Sequence, residues 1–198
     1  MQPEPVNLIG NQIELVPLTE AHLPDLTKMA RHDEIWTYLD EATPQTEPEV
    51  AALITEALEE QDQGVRLPFA IIDRDNGQAI GTMSYIDIQR AHRGIELGWA
   101  WISPDYWQRG IAREAAYLLM RHAFEALGAI RVAFKTDARN VRSQRTIEGL
   151  GATQEGTFRN HRILRDGYRR SSIYYSVIDD EWPAVRTALE AKLRPRMV

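Results

Sequence analysis

Ile95-Glu96-Leu97-Gly98-Trp99-Ala100-Trp101-Ile102-Ser103-Pro104-Asp105-Tyr106-Trp107-Gln108-Arg109-Gly110-Ile111-Ala112-Arg113-Glu114-Ala115 is the stretch that decides the fold. Residues 95–102 are an apolar run rich in β-formers, with Glu96 and Gly98 set into it. Ser103-Pro104-Asp105 signals a turn. From Gly110 a helix is expected to run to Leu127, with Ile111, Ala115, Leu118, Leu119, His122 and Ala126 along one stripe. A strand that feeds a glycine-containing turn and then a helix start is a phosphate cradle. The first N–H groups of such a helix have no partner within it, and the helix dipole favours an anion there. No Gly-Lys-Ser/Thr follows Gly110 and no Gly-x-Gly-x-x-Gly occurs, so this is neither a nucleoside-triphosphate loop nor a dinucleotide fingerprint.

Upstream, residues 12–18 alternate as a strand, after a loose lead-in over 1–10. Thr19 caps a helix over 20–30, and 32–38 reads as a short helical turn. Thr46 and Glu49 form a capping box for a second long helix. Asp75-Asn76-Gly77, between β-rich runs at 67–73 and 79–88, predicts a hairpin. Downstream, Gly128 ends the long helix, and the strand over 130–136 can lie parallel to the 95–102 strand through a right-handed crossover. Asn140 caps a short helix ending at Gly149-Leu150-Gly151. Strands over 153–160 and 171–178 close the sheet around Arg165-Asp166-Gly167, and a last helix covers 179–193.

With 198 residues and no linker or repeat, a single domain over 1–198 is expected. The absence of Cys excludes disulfides, thiolate metal sites and a cysteine nucleophile. His22, His32, His92, His122 and His161 have no metal-ligand spacing, so no metal is expected. No window has the length of a membrane span, and Met1-Gln2-Pro3-Glu4-Pro5 lacks the basic start of a signal peptide, so a cytoplasmic protein is expected. The net charge of −6 is unevenly spread. Residues 105–170 hold 13 Lys and Arg against 7 Asp and Glu, and the remainder 10 against 22. The basic segment begins at the cradle, which suits an anionic partner. It lacks interleaved aromatic platforms, so no nucleic acid is expected.

Several pieces then resemble one family in the same order along the chain: Glu96-Leu97-Gly98-Trp99, Pro104 through Ala115, Asn140-Val141-Arg142-Ser143, Gly149-Leu150-Gly151, Glu155-Gly156-Thr157-Phe158-Arg159, and Asp166-Gly167 followed by Tyr174 and Ser176. They resemble the GCN-five-related N-acetyltransferase (GNAT) superfamily, and more narrowly its RimJ/RimL-type branch. The resemblance implies an α/β fold: a twisted, largely antiparallel mixed sheet of about seven strands, splayed between its fourth and fifth, with acetyl-CoA in the opening. It implies transfer of an acetyl group to a primary amine, either a protein N-terminus or a small molecule. A non-catalytic acyl-CoA-binding module is the other reading. A homodimer is compatible with the family. The family cradle reads Gln/Arg-x-x-Gly-x-Gly/Ala; here Trp107 stands in the first position, before Gly110 and Ala112.

Within that frame Gln108, Arg109, Gly110, Ile111, Ala112 and Arg113 are expected to hold the pyrophosphate, with the two arginines reaching phosphates from the side. Unpaired backbone groups of Trp101 and Ile102 would bond the pantetheine amides as a substitute strand. Glu96 lies about 20 Å from Ile102 along a strand, which places it near the thioester as the base. The alternative for Glu96 is a strand-edge carboxylate that faces solvent or pairs with an arginine. Glu155 is the second candidate base. Ser143 is the candidate donor to the departing thiolate, and Asn140 a pantetheine contact; both are also good capping residues. Trp36, Tyr38 and Tyr85 are candidates for the amine pocket, and equally for the core.

Overall fold

The computed structural model describes residues 1–193. Gly77 takes φ 74° and lets the chain reverse between β3 (Arg66–Asp73) and β4 (Ala79–Gln89), which pair antiparallel. β4 continues antiparallel into β5 (Gly94–Ile102), so the predicted meander forms. α4 (Ile111–Arg121) starts on Gly110 at φ 83° and ends in a π-helical turn over His122–Ala126. It returns the chain to β6 (Arg131–Asp137), parallel to β5. β7 (Thr153–Ile163) and β8 (Arg169–Ile178) close the far edge, turning at Gly167 with φ 80°.

β2 (Ile13–Pro17) pairs with β3 as expected. The lead-in is not loose throughout: β1 (Leu8–Ile9) pairs with Leu15 and Glu14 of β2. Two residues are too few for alternation to show. Among the described residues the sheet therefore has eight strands in the order β1-β2-β3-β4-β5-β6-β8-β7, with the β5–β6 pair alone parallel.

Helices cover both faces. α1 (Leu23–Met29), preceded by a 3-10 turn at Glu20–His22, packs with α2 (Asp33–Trp36) and α3 (Glu47–Asp62) on one side, around Leu26, Trp36, Val50 and Ile54. The predicted capping box is present at α3, where Glu49 accepts from the Thr46 amide at 3.0 Å. On the other side α4, α5 (Val141–Gly149) and α6 (Trp182–Leu193) enclose Tyr85, Leu118, Leu119, Phe134, Tyr175 and Trp182. Buried Glu114, in the first turn of α4, accepts the amides of Asn11 and Gln12 and ties the β1–β2 turn to that helix. Among the described residues no helix is long and apolar enough to cross a membrane.

β5 opens the sheet. Residues 94–97 pair with 131–134 of β6, and pairing stops there. At the same point the β4–β5 register slips: Ser84 faces Gly98, but Thr82 faces Trp101. One extra residue on β5 makes a bulge, with Trp99 at φ 48°, and bulges bend a strand and increase its twist. The splay between the fourth and fifth long strands, β5 and β6, thus begins where the bulge begins.

Candidate active site

A cleft of about 710 Å³ fills the splay. Met83, Ala116, Ile147 and Leu150 line it from the α4 side of the sheet; Ile35, Tyr38, Leu39 and Arg170 line it from the α1–α3 side. It therefore passes through the sheet.

At one end is the turn into α4. The first intrahelical bond runs from Glu114 N to Gly110 O, so the amides of Ile111, Ala112 and Arg113 have no partner within the helix. These residues, with Gln108 and Gly110, line the cleft. Gln108 at φ 64° and Gly110 at φ 83° both take left-handed backbone to aim the turn. A Cβ on Gly110 would meet nothing within 4 Å, so the glycine is required by its φ and leaves open space for an anion. A phosphate fits this turn. Arg113 lines the cleft as expected, whereas Arg109 lies over the Tyr106 ring at 4.9 Å and is not among the lining residues.

The β5 edge at Trp101 and Ile102, expected to serve as a rail for the pantetheine amides, differs from expectation. Ser103 N donates to Ile80 O, and the Trp101 carbonyl abuts Gly81, so Trp101 turns its backbone toward β4. By alternation Ile102 faces the gap. Its carbonyl is already engaged, accepting the Trp107 indole N–H at 2.8 Å. Trp107, the departure from the family pattern, therefore caps part of the rail, and its ring carries the Arg142 guanidinium at 3.4 Å. Nothing in the local sequence marks this stack, because Arg142 sits on a different helix.

Asn140 and Ser143 both line the cleft. Asn140 Oδ1 accepts from Ser143 N at 3.0 Å, so the capping role is real. It uses only the amide oxygen of Asn140 and the backbone of Ser143. The Asn140 amino group and the Ser143 hydroxyl make no hydrogen bond to another described residue.

Glu96 is buried on the paired part of β5, and its side chain is 7% exposed. Its carboxylate pairs with Lys135 Nζ, at 3.1 Å to Oε1. Lys135 lines the cleft and Glu96 itself does not, although Glu96 Oε1 lies 3.5 Å from the Cβ position of Gly98, which does. Neither alternative weighed for Glu96 is the arrangement found: the carboxylate is buried rather than solvent-facing, and its cation is a lysine rather than an arginine.

Glu155 sits apart. It pairs with Arg131, which holds its carboxyl below the usual range, and accepts from Ser176 Oγ at 2.8 Å; it is not among the cleft residues. Tyr85 is fully buried, donating its hydroxyl to Leu119 O at 2.6 Å, and belongs to the core. Trp36 is also core, donating to Ala30 O and packing on Trp101 at 5.8 Å. Tyr38 does line the cleft. His122, beside Tyr85 at 3.2 Å, has its pKa lowered by burial and is structural.

The sequence model of the Acetyltransferase (GNAT) domain matches residues 12–153. The uncharacterized N-acetyltransferase YoaA of Bacillus subtilis is 29% identical over 62% of this chain and 67% of its own length. Two further B. subtilis relatives are matched over 65% and 57% of their lengths, so the chain spans about two thirds or less of these curated relatives. A solved acetyltransferase-like protein from T. thermophilus is 38% identical, with a TM-score of 0.88 over 98% of this chain and 100% of that one. A GCN5-related N-acetyltransferase from Brucella melitensis is 31% identical, with a TM-score of 0.92 over 98% and 88%. Mycobacterium smegmatis RimJ, solved with CoA-disulfide, shares the fold at 18% identity and a TM-score of 0.84 over 97% of both chains. A domain match over most of the chain, on a sheet splayed around a helix-start cradle, makes this protein a member of the GNAT acetyltransferase family.

Proposed function

We propose that the protein transfers an acetyl group from acetyl-CoA to a primary amine, by direct attack with both substrates bound. The observation that carries this is the cleft's passage through the sheet: a phosphate cradle stands at one end, and a buried carboxylate–lysine pair lies beside the closed end of the splay. Acetyl-CoA, as co-substrate, supplies the thioester. Gly110, Ile111, Ala112 and Arg113 hold its pyrophosphate through backbone N–H groups, and Asn140 bonds the pantetheine. Trp107 leaves only part of the β5 edge for that arm.

The amine nitrogen attacks the thioester carbon, forming C–N as C–S breaks. Glu96, directly or through water, takes the proton the nitrogen loses. Ser143 donates a hydrogen bond to the departing sulfur, which leaves as the CoA thiolate and takes its proton from solvent. The chain is read as one acetyltransferase unit that works in the cytoplasm. Its acceptor is a protein N-terminus, as the RimJ/RimL-type resemblance suggests, or a small-molecule amine. Two chains pairing as a homodimer is compatible with the family.

Incubation with acetyl-CoA and a panel of amines and N-terminal peptides, with free thiol monitored, tests the reading. Thiol release that depends on the amine is the expected result. CoA binding without release across the panel would leave a binding module, and no CoA binding would overturn the proposal altogether.

A further inference from the structure

Four cations gather where the cleft meets the α1–α3 side: Lys135, Arg139, Arg142 and Arg170. Two carboxylates face them. Glu96 is taken by Lys135. Asp137, whose side chain is 1% exposed, is taken by Arg139, which donates Nε at 3.1 Å and Nη2 at 2.8 Å. Of these four, that leaves Arg142 and Arg170 with no hydrogen bond to a carboxylate among the described residues. Arg170 Nε is buried with no hydrogen-bond partner there and stands 3.9 Å from Asp137, and its Nη1 reaches the Tyr38 carbonyl at 3.5 Å. Arg142 rests on Trp107, and Glu34 and Tyr38 act on it only through space. Burial lowers the pKa of both arginines. Both line the cleft, next to Tyr38.

A desolvated guanidinium is costly unless an anion meets it. The phosphates of the co-substrate have their own site at the start of α4, so they do not account for Arg170, which comes from β8. The carboxylates of Glu41, Glu56 and Glu60 act on Arg66, outside the cleft. We propose that the acceptor carries a carboxylate, and that Arg170, with Arg142 beside it, binds that group as a charge-assisted fork. This rests on the amine acetyltransferase reading of the same cleft.

The geometry also sets a spacing. Asp137, next to Arg170, lies two residues along β6 from Lys135, which is about 7 Å. The acceptor's carboxylate therefore stands several bonds from its amine. An acidic side chain on a peptide, or the far end of an ω-amino acid, fits; the carboxylate of a free α-amino acid is too near.

The test uses matched acceptors that differ only by carboxylate against carboxamide: 4-aminobutanoate and its amide, Ser-Asp-amide and Ser-Asn-amide, and glycine and glycinamide. In the wild type, kcat/KM for the carboxylate of at least one of the two longer pairs should exceed that of its amide by about tenfold, the size of one charge-assisted hydrogen bond. Which longer pair shows it separates a small ω-amino acid from an acidic peptide. Arg170→Met should erase the preference, Arg170→Lys should restore part of it, and unchanged CoA affinity in both would show an intact fold. Equal use of both members of the longer pairs, or a preference kept in Arg170→Met, overturns the proposal. If no amine is turned over, the acetyltransferase reading is what fails. Titration of the CoA-saturated protein with the same pairs then decides this inference, with tighter binding of a longer carboxylate supporting it and equal binding rejecting it.

Discussion

The two ends of the cleft are built differently. The cradle end comes from one short stretch, Gln108 and residues 110–113, and presents main-chain N–H groups beside a left-handed glycine. The Tyr38 end is assembled from side chains on four separate segments: Tyr38 after α2, Lys135 and Asp137 on β6, Arg142 on α5 and Arg170 on β8. Backbone recognition tolerates side-chain change, so Trp107 can replace the family's Gln or Arg without removing the cradle. Side-chain recognition has no such tolerance, and under the proposal above this is the end that meets the acceptor's carboxylate.

The comparison can be broken most severely at the cradle. Gly110→Asp places a negative charge and a strained left-handed φ where phosphates bind. CoA affinity measured by calorimetry should fall about a hundredfold or more, the scale of losing two charge-assisted hydrogen bonds. Gly110→Ala, with empty space around its Cβ, should lose only about 1 kcal/mol of stability to backbone strain, and bind CoA nearly as before.

Glu96→Gln tests the chemistry between the two ends. Removal of a general base should lower kcat about a hundredfold while the Kd for CoA stays constant. Equal losses in both would make the Glu96–Lys135 pair a structural brace.

Asn140 and Ser143 separate folding from chemistry within one helix start. Asn140→Ala should cost about 1 kcal/mol in denaturant unfolding, because Oδ1 caps α5. Ser143→Ala keeps the backbone donor of that cap, so kcat should fall with little change in stability.

The smallest expected effect is a pH dependence at the Tyr38 end. Burial alone would raise the pKa of Asp137, but hydrogen bonds from the Arg139 side chain and backbone, with the charges of Arg139 and Arg170, outweigh it and hold it low. A carboxyl that is depressed in the folded state contributes stability above its unfolded value, near pH 4, and loses it as pH falls through the lower folded value. The difference in Tm between wild type and Asp137→Asn should be constant at neutral pH and shrink below about pH 4. A difference that grows on acidification would reverse the sign.

Much of the fold was legible because its signals are local. Asn76-Gly77, the Thr46–Glu49 capping box and the glycine start of α4 each act within a few residues, and each appears where the sequence places it. β1 escaped because two residues carry no period. The glycine turn into α4 was legible for the same reason as the other turns. The Tyr38 end was not: Trp36 and Tyr85 proved to be core, and the Asp137–Arg170 pair was unseen. Aromatic residues read alike in cores and pockets, and partners more than thirty residues apart leave no pattern in one sequence.

The placement of Trp107 has a spectroscopic consequence. Trp99, Trp101 and Trp107 all line the cleft, whereas Trp36 and Trp182 are buried in the two cores. The indole of Trp107 is held between the Ile102 carbonyl and the Arg142 guanidinium, so a ligand that disturbs either contact changes the surroundings of an emitting ring. The protein thus carries an indole between the cradle turn and Arg142, and its emission should report a ligand that enters either end of the cleft.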